Sequence, residues 1–317
     1  MLGYVDNDLC VLGDTILCKK AQGGPWYLSS QVRALSMIAC EPYFKDGDFT
    51  LYKGDCIQIL REFPDDSVDL IFGDPPYNLS NGGFTCRSGR RAPVNKGEWD
   101  VSSGIDDDFQ FHLEWIGECR RILKESGSIW ISGTYHSIYS CGFALQKLGY
   151  YLLNDVCWFK PNAPPNLSIR YFTASHETLI WARKNKNSHH TFNYPILKKG
   201  IWSEDEYKKP DRQMRTVWSI PSPRQAEKRF GSHPTQKPYA LLQRIVLGCS
   251  HEHDLVLDPF TGSSTTGLAA WETGRKFIGI DLEPSYLDLS IARYRDMVQS
   301  RAIADQARSG CINDKVI

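Results

Sequence analysis

Residues 68–78 read V-D-L-I-F-G-D-P-P-Y-N, an apolar run that stops on a carboxylate, two prolines and an aromatic ring. Val68, Leu70, Ile71 and Phe72 give the run the composition of a buried strand. The prolines cannot extend it: each lacks an N–H and holds φ near about −65°. The spacing therefore predicts a strand that ends in a stiff corner at 74–77. The groups such a corner can offer are carbonyl oxygens and the Asp74 carboxylate.

Outward from this corner the same rhythm repeats. F-T-L-Y-K-G-D (49–55) reads as a strand and C-I-Q-I-L-R-E-F (56–63) has a helical period. Residues 109–125 place Phe111, Trp115, Ile116, Cys119, Ile122 and Leu123 on one helical face. S-I-W-I-S (128–132) is a strand, 137–148 a helix, and V-C-W-F-K (156–160) and T-L-I-W-A-R-K (178–184) are strands. Past Pro238 come a helix at Tyr239 to Cys249, the strand L-V-L-D, a glycine-rich turn with a helix, the strand K-F-I-G-I-D, and a helix from Pro284 to about Ser300. Alternation of this kind predicts an α/β fold, a doubly wound and mostly parallel sheet with helices on both faces. Residues 1–48 read as an appendage, with a short helix near Gln31 to Cys40. Residues 184–232, rich in Lys, Arg, Asn and Pro, read as a loop-rich insertion between halves at 49–183 and 233–300, and 301–317 as a tail.

Composition bounds the function. Lys+Arg and Asp+Glu both number 37 in a chain of 317 residues, so net charge offers no argument for a polyanionic partner. The ten cysteines form no C-x-x-C pair or zinc-spaced cluster, so no metal is expected. Scattered thiols suit a reducing compartment, and no signal peptide or membrane-length apolar run is present, which together point to the cytoplasm.

In an open parallel sheet, ligands sit beyond the carboxyl ends of the strands. Asp74, Asp258 and Asp281 fall at such ends, with Asp55 a fourth candidate, although any one alone could merely cap the next helix. L-D-P-F-T-G-S-S-T-T-G (257–267) is a strand, a turn permitted by Gly262, and a helix. Asp281 follows Asp258 by 23 residues, the spacing at which a carboxylate grips ribose hydroxyls. The turn is not G-x-G-x-x-G and carries no lysine, so it suits a nucleoside without pyrophosphate. S-adenosylmethionine is the candidate cofactor.

The 74–77 corner suits a group bearing two N–H donors on one nitrogen, an exocyclic amine. That of adenine is a poor nucleophile because its lone pair is delocalised into the ring. Hydrogen bonds to the Asp74 carboxylate and the Pro75 carbonyl would localise the pair for attack on a sulfonium methyl. Tyr77 would supply a face on which a base stacks.

D-P-P-Y-N, then H-P-T-Q-K-P (233–238), D-P-F-T-G-S-S-T and G-I-D-L-E-P-S-Y (279–286), in this order, resemble the β class of DNA amino-methyltransferases. D-P-P-Y-N-L-S-N-G-G with K-G-E-W-D and G-S-I-W-I-S-G is similar to modification methylases of the MboII and DpnII restriction systems. The resemblance covers about 49–298. It implies a Rossmann-like methyltransferase sheet with circularly permuted motif order and an inserted target-recognition region. It implies transfer of a methyl group to adenine N6 in DNA, with Asp74, Pro75, Pro76 and Tyr77 at the chemistry; cytosine N4 is the alternative amine. Asp258, Phe260, Gly262 and Ser263 would line the methionine end of the cofactor and Asp281 its ribose, next to Asp74. Asp55 would meet the adenine, while Thr235, Gln236 and Lys237 would hold the methionine carboxylate. Ser264 stands where the family has glycine, so reduced but retained cofactor affinity is expected.

The resemblance also implies a DNA partner, met as an extruded base in a duplex or in a single strand. A homodimer is common in the class, and a cognate restriction endonuclease belongs to such systems. Arg87, Arg90, Arg91 and Lys96 lie in a glycine- and serine-rich stretch expected to close over DNA. Arg212, Arg215 and Arg224 lie in the insertion, Arg170 lies upstream of it, and Trp158 matches a segment near the target-base pocket. Other classes fit less well. A nicotinamide oxidoreductase wants the missing phosphate-binding glycines, and a catalytically silent DNA-binding protein has no use for D-P-P-Y.

Overall fold

The computed structural model describes residues 40–77, 102–231 and 233–307 in full. It also gives the backbone of four short strands before residue 40, of a hairpin between 84 and 93, and of the last helix as far as Asn313. Among the described residues no helix is long and apolar enough to cross a membrane.

Strands β1 (Gly3–Tyr4), β2 (Leu9–Leu12), β3 (Thr15–Cys18) and β4 (Tyr27–Leu28) make a small antiparallel sheet. The main sheet takes β5 (Phe44–Asp46), β6 (Phe49–Lys53), β7 (Val68–Gly73), β10 (Leu123–Gly133), β11 (Tyr151–Phe159), β12 (His176–Arg183), β13 (Val217–Ser219), β14 (Leu255–Asp258) and β15 (Lys276–Asp281). The hairpin is β8 (Phe84–Arg87) with β9 (Arg90–Pro93). The helices are α1 (Cys56–Arg61), α2 (Ile105–Ile122), α3 (Ile138–Lys147), α4 (Tyr194–Lys199), α5 (Tyr239–Cys249), α6 (Thr265–Glu272) and α7 (Pro284–Asn313).

Strand order across the nine-stranded sheet is β13-β11-β12-β10-β7-β14-β15-β6-β5. The five from β10 to β6 are mutually parallel. β12 runs antiparallel to both neighbours, and β5 antiparallel to β6. β14 and β15, from the end of the chain, lie between β6 and β7, and the winding direction reverses between β7 and β14. That reversal is the crevice where a doubly wound sheet holds a ligand.

All six residues of β7 are buried, as expected for a strand covered on both faces. Alternate side chains serve opposite cores. Ile71, Ile129, Ile131 and Leu257 pack with α2 and α3, and Leu70, Phe72, Trp130 and Val256 with α5 and α6. Asp69 is the acidic residue inside β7, and Lys124 Nζ meets both its oxygens at 2.7 and 2.8 Å. α2 begins with Asp106, Asp107 and Asp108 and ends with Arg120 and Arg121, charges that suit its dipole. Its periodic face was expected over 109–125, but the helix is Ile105–Ile122 and Leu123 already pairs with Val68.

Three boundaries differ from the expectation. Phe44–Asp46 pairs with β6, so the main sheet begins before residue 49. The last helix runs well past Ser300. The insertion at 184–232 carries α4, the strand β13 on the sheet edge and a short 3-10 turn at Gln225–Lys228. Its anchor is Arg244 of α5, buried, which meets Asp205 Oδ2 at 2.7 Å and lies over the Trp202 and Trp218 rings at 5.0 and 4.8 Å. Asp205 also accepts the Ser219 N–H at 3.1 Å, fixing β13. The short helix expected near Gln31 to Cys40 lies outside the described residues.

Candidate active site

β7, β14, β15 and β6 bring Asp74, Asp258, Asp281 and Asp55 to one edge of the sheet. Between them opens a cleft of about 200 Å³, lined by Asp55, Asp74, Pro76, Phe260, Asp281 and Tyr286 among others. It continues into a smaller recess at Asp258, Gly262, Ser263, Gln236 and Lys237, and Asp74, Thr235 and Phe260 border both. The residues expected to hold the cofactor thus line either the cleft or the adjoining recess. At Asp55 the helix-cap reading also holds, since its Oδ1 accepts the Gln58 N–H at 2.9 Å at the start of α1.

The turn after β14 is fixed from both sides. Asp258 accepts the Phe260 N–H at 3.0 Å and the Thr266 hydroxyl at 2.6 Å. Asp281 accepts the N–H groups of Gly262 at 2.8 Å and Glu283 at 2.9 Å. Gly262 has φ +49°, and a Cβ there would stand 3.0 Å from the His233 ring. One turn on, a Cβ on Gly267 would lie 2.4 Å from the Phe277 ring, so α6 rests directly on β15. Ser264, in the family's glycine position, takes φ +52° with its hydroxyl 2.8 Å from that of Thr261. A hydrogen-bonded turn carries the strain. Burial pushes the Asp258 carboxyl up to about 7 and that of Asp281 up to about 6, with the surrounding hydrogen bonds only partly opposing it.

The 74–77 corner carries a buried charge network. Lys237 Nζ stands 2.5 Å from Asp74 Oδ2, 2.9 Å from the Tyr77 hydroxyl and 3.4 Å from Glu177 Oε2. The Tyr77 hydroxyl donates to Asp74 Oδ1, with Glu177 Oε2 at 3.2 Å and Ser132 Oγ at 3.3 Å as its other neighbours. Lys160 Nζ closes the set on Glu177 Oε1 at 3.0 Å. Burial raises the Asp74 carboxyl, and the adjoining Lys237 only partly offsets this. Burial pushes Glu177 the same way, but Lys237 and Lys160 together win and hold it down at about 2. Two ammonium groups thus balance two buried carboxylates.

Two expected roles change here. The Lys237 ammonium faces Asp74 and Glu177, so its charge is committed to carboxylates of the corner. Tyr77 is 4% exposed and tied inward by its hydroxyl, so its ring is not an open stacking platform. Trp158 is corrected as well. It is 2% exposed within the core beside α5, and its indole N–H is given to the Ile220 carbonyl at 2.7 Å, which leaves no face for DNA.

Arg170, Arg212 and Arg215 are exposed. Arg224 is exposed too, and Glu204 engages it at 2.8 Å. Arg87, Arg90 and Arg91 fall on the β8–β9 hairpin, and Lys96 lies outside the described residues. Sequence reasoning missed Glu177 and Ser132. Glu177 is the second residue of β12, and only the antiparallel sense of that strand carries its first residues to the edge where the parallel strands end.

A family model described as DNA methylase (N6_N4_Mtase) matches residues 68–292. The chain is 45% identical over 259 residues to the Type II methyltransferase M2.MboI of Moraxella bovis, covering 81% of this chain and 92% of that one. It is 44% identical over 260 residues to the Type II methyltransferase M2.DpnII of Streptococcus pneumoniae, covering 82% and 93%. Among solved structures, the M1.HpyAVI–SAM complex is similar with a TM-score of 0.57 and 27% identity, over 77% of this chain and 98% of that one. The cytosine-N4-specific PvuII DNA methyltransferase shares the fold, with a TM-score of 0.62 and 20% identity over 81% and 90%.

Proposed function

We propose a function from the premise that this chain belongs to the DNA methylase family. It transfers a methyl group from S-adenosylmethionine to the exocyclic amino nitrogen of a base in DNA, adenine N6 in the first instance. The observation that carries this is that Asp74 and Pro76 of the corner line the same cleft as Asp55, Phe260 and Asp281.

The residues present fit that cofactor. A side chain at Gly262 would fill the turn against His233. Gln236, on the recess, has a buried Oε1 that finds no hydrogen-bond partner among the described residues, an acceptor suited to an ammonium group. Asp281 and Asp55 would take ribose hydroxyls and adenine, and Asp258, Ser263 and Thr235 the amino-acid end. When bound, S-adenosylmethionine supplies an electrophilic methyl carbon on a sulfonium.

The rest of the chemistry belongs to this chain. The Asp74 carboxylate and the Pro75 carbonyl accept the two N–H bonds of the target amine. They thereby localise its lone pair for attack on the methyl group that the bound cofactor would supply. The nitrogen becomes cationic and passes one proton to Asp74 or to water. Burial holds Asp74 above the usual carboxylate range, which favours its taking that proton. For Asp74 to do this, Lys237 must give up part of its hold, and Glu177 stands next to receive it.

The inserted region 184–232 is the target-reading surface of this proposal, with Arg212 and Arg215 exposed on it. Arg87, Arg90, Arg91, Lys96 and Arg170 would contact phosphates. DNA as substrate assigns the protein to the cytoplasm. A cognate restriction endonuclease and self-association in pairs belong to the same reading; resistance of host DNA to a co-encoded nuclease tests the first and sedimentation the second. The deciding experiment supplies tritiated S-adenosylmethionine and DNA, then digests the product and weighs the nucleosides. N6-methyladenine is expected, N4-methylcytosine would move the reading to the alternative amine, and no transfer to any DNA would overturn it.

A further inference from the structure

We propose that the loop at 160–175, between β11 and β12, is a stacking wedge that enters the DNA beside the extruded base. This rests on the DNA-methylating function proposed above. β12 is antiparallel to both β10 and β11, so β11 delivers this loop to the same edge as Asp74 and Asp258. Its root is tied to the site. Lys160 N–H donates to the Ser175 carbonyl at 2.7 Å, and Lys160 Nζ meets Glu177, whose other oxygen lies 3.2 Å from the Tyr77 hydroxyl. Asn162 Oδ1 accepts the Ser222 N–H at 2.9 Å, joining the root to the inserted region.

The loop has a built shape. Asn166 Oδ1 accepts from Ser168 N at 2.9 Å and Ser168 Oγ at 2.7 Å, and Asn166 Nδ2 donates to the Tyr171 carbonyl at 2.7 Å. The Asn166 N–H donates to Thr173 Oγ1 at 3.2 Å. Ile169 is held at φ +54°, a left-handed conformation that β-branched residues seldom adopt. The result is a tip on which Ile169 is 91%, Tyr171 68% and Phe172 98% exposed, with Arg170 among them.

Three exposed apolar side chains within four residues need a partner, and the charge of the loop says which kind. No carboxylate occurs between residues 160 and 175; Lys160 is paired with Glu177 at the root, which leaves Arg170 as the charged side chain of the tip. A cationic, aromatic tip on the same sheet edge as the Asp74 corner suits a polyanion with flat faces. Apolar side chains enter base steps in this way and offset the lost stacking when a base is drawn out.

The test uses the full chain with Tyr171→Ala/Phe172→Ala, cofactor binding serving as the check that it is folded. Three oligonucleotides carry the mapped target base: paired in a duplex, opposite an abasic site, and single-stranded. Stacking of about 1–3 kcal/mol per base predicts a loss in kcat/KM of roughly 5- to 150-fold on the paired duplex. On the other two substrates, where little unstacking is needed, the variant should stay within about 2-fold of wild type. Equal losses on all three would overturn the wedge in favour of phosphate or purely structural contacts. No loss on any would overturn it in favour of a surface for another partner. A wild-type protein inactive on all three would instead refute the methylating function itself.

Discussion

The Lys237 ammonium lies 2.5 Å from the Asp74 carboxylate and 3.4 Å from that of Glu177, so one cation is shared between the residue proposed for chemistry and one the chemistry never touches. This makes Glu177 a positioning residue. In Glu177→Gln, Lys237 has Asp74 as its remaining carboxylate and should hold it more firmly. kcat should fall while KM for the cofactor stays near wild type. The negative charge of Glu177 raises the Asp74 carboxyl, so its removal should move the acid limb of the pH–rate profile to lower pH. Stability offers a second readout. Glu177 titrates at about 2 in the fold, below its ordinary value of 4.5, so its contribution is present above pH 4.5 and lost as pH falls toward 2. Melting curves of Glu177→Gln should lack that acid-side loss. A variant with wild-type kcat and an unmoved profile would remove Glu177 from the site's function.

Asp74→Asn preserves shape but turns an acceptor into a donor toward the target amine. Activity should drop by roughly 10²- to 10³-fold, the scale of losing one preorganised charge-stabilising group. The cofactor-binding walls at Asp55 and Asp281 are untouched, so stabilisation by S-adenosylmethionine in a thermal-shift assay should persist. Transfer at wild-type rate by this variant would place the chemistry elsewhere.

The parallel core was legible because buried strands announce themselves as short apolar runs, and V-D-L-I-F-G, L-V-L-D and K-F-I-G-I-D all became sheet strands. The four acidic strand ends were legible for the same reason: in parallel strands sequence direction alone fixes the edge. Glu177 was not, because an antiparallel strand reverses that logic and pairing sense is a tertiary property. The ordering of 184–232 was hidden too, since it depends on the Arg244–Asp205 pair, whose members stand 39 positions apart. Trp158 was placed near DNA by the resemblance alone, and a matched segment cannot say whether this ring faces DNA or the core.

Asp258 and Asp281 predict an unusual pH dependence. Burial raises them to about 7 and about 6, so each favours the fold when protonated. That contribution is full below about pH 4, the ordinary carboxylate value, and is lost as pH rises through 6 and 7. A ligand bearing an ammonium group and hydroxyls is better held by the ionised carboxylates. The rise in Tm caused by S-adenosylmethionine should therefore be larger at pH 8 than at pH 5.5. Asp258→Asn should abolish most of that rise and flatten the free protein's decline over the same range. An unaltered ligand-induced rise in Asp258→Asn would show that this carboxylate does not face the cofactor.

Ser264 sets a sharper question, because a left-handed serine costs roughly 1 kcal/mol or more that a glycine would not. Its hydroxyl offsets part of this through the 2.8 Å contact with Thr261, and its N–H donates to the Thr261 carbonyl at 2.7 Å. Ser264→Gly relieves the strain but loses the hydroxyl pair and gains freedom when unfolded, so its stability should stay within about 1 kcal/mol of wild type. Ser264→Ala keeps the strain, loses the pair and leaves the buried Thr261 hydroxyl without that partner, a cost of about 1–3 kcal/mol. The same turn fixes Gly262 and the start of α6, so alanine should also weaken cofactor affinity more than glycine does. Denaturant melts and cofactor titrations of the two variants decide it: alanine equal to glycine in both would mean that the hydroxyl pair is not what holds this turn in place.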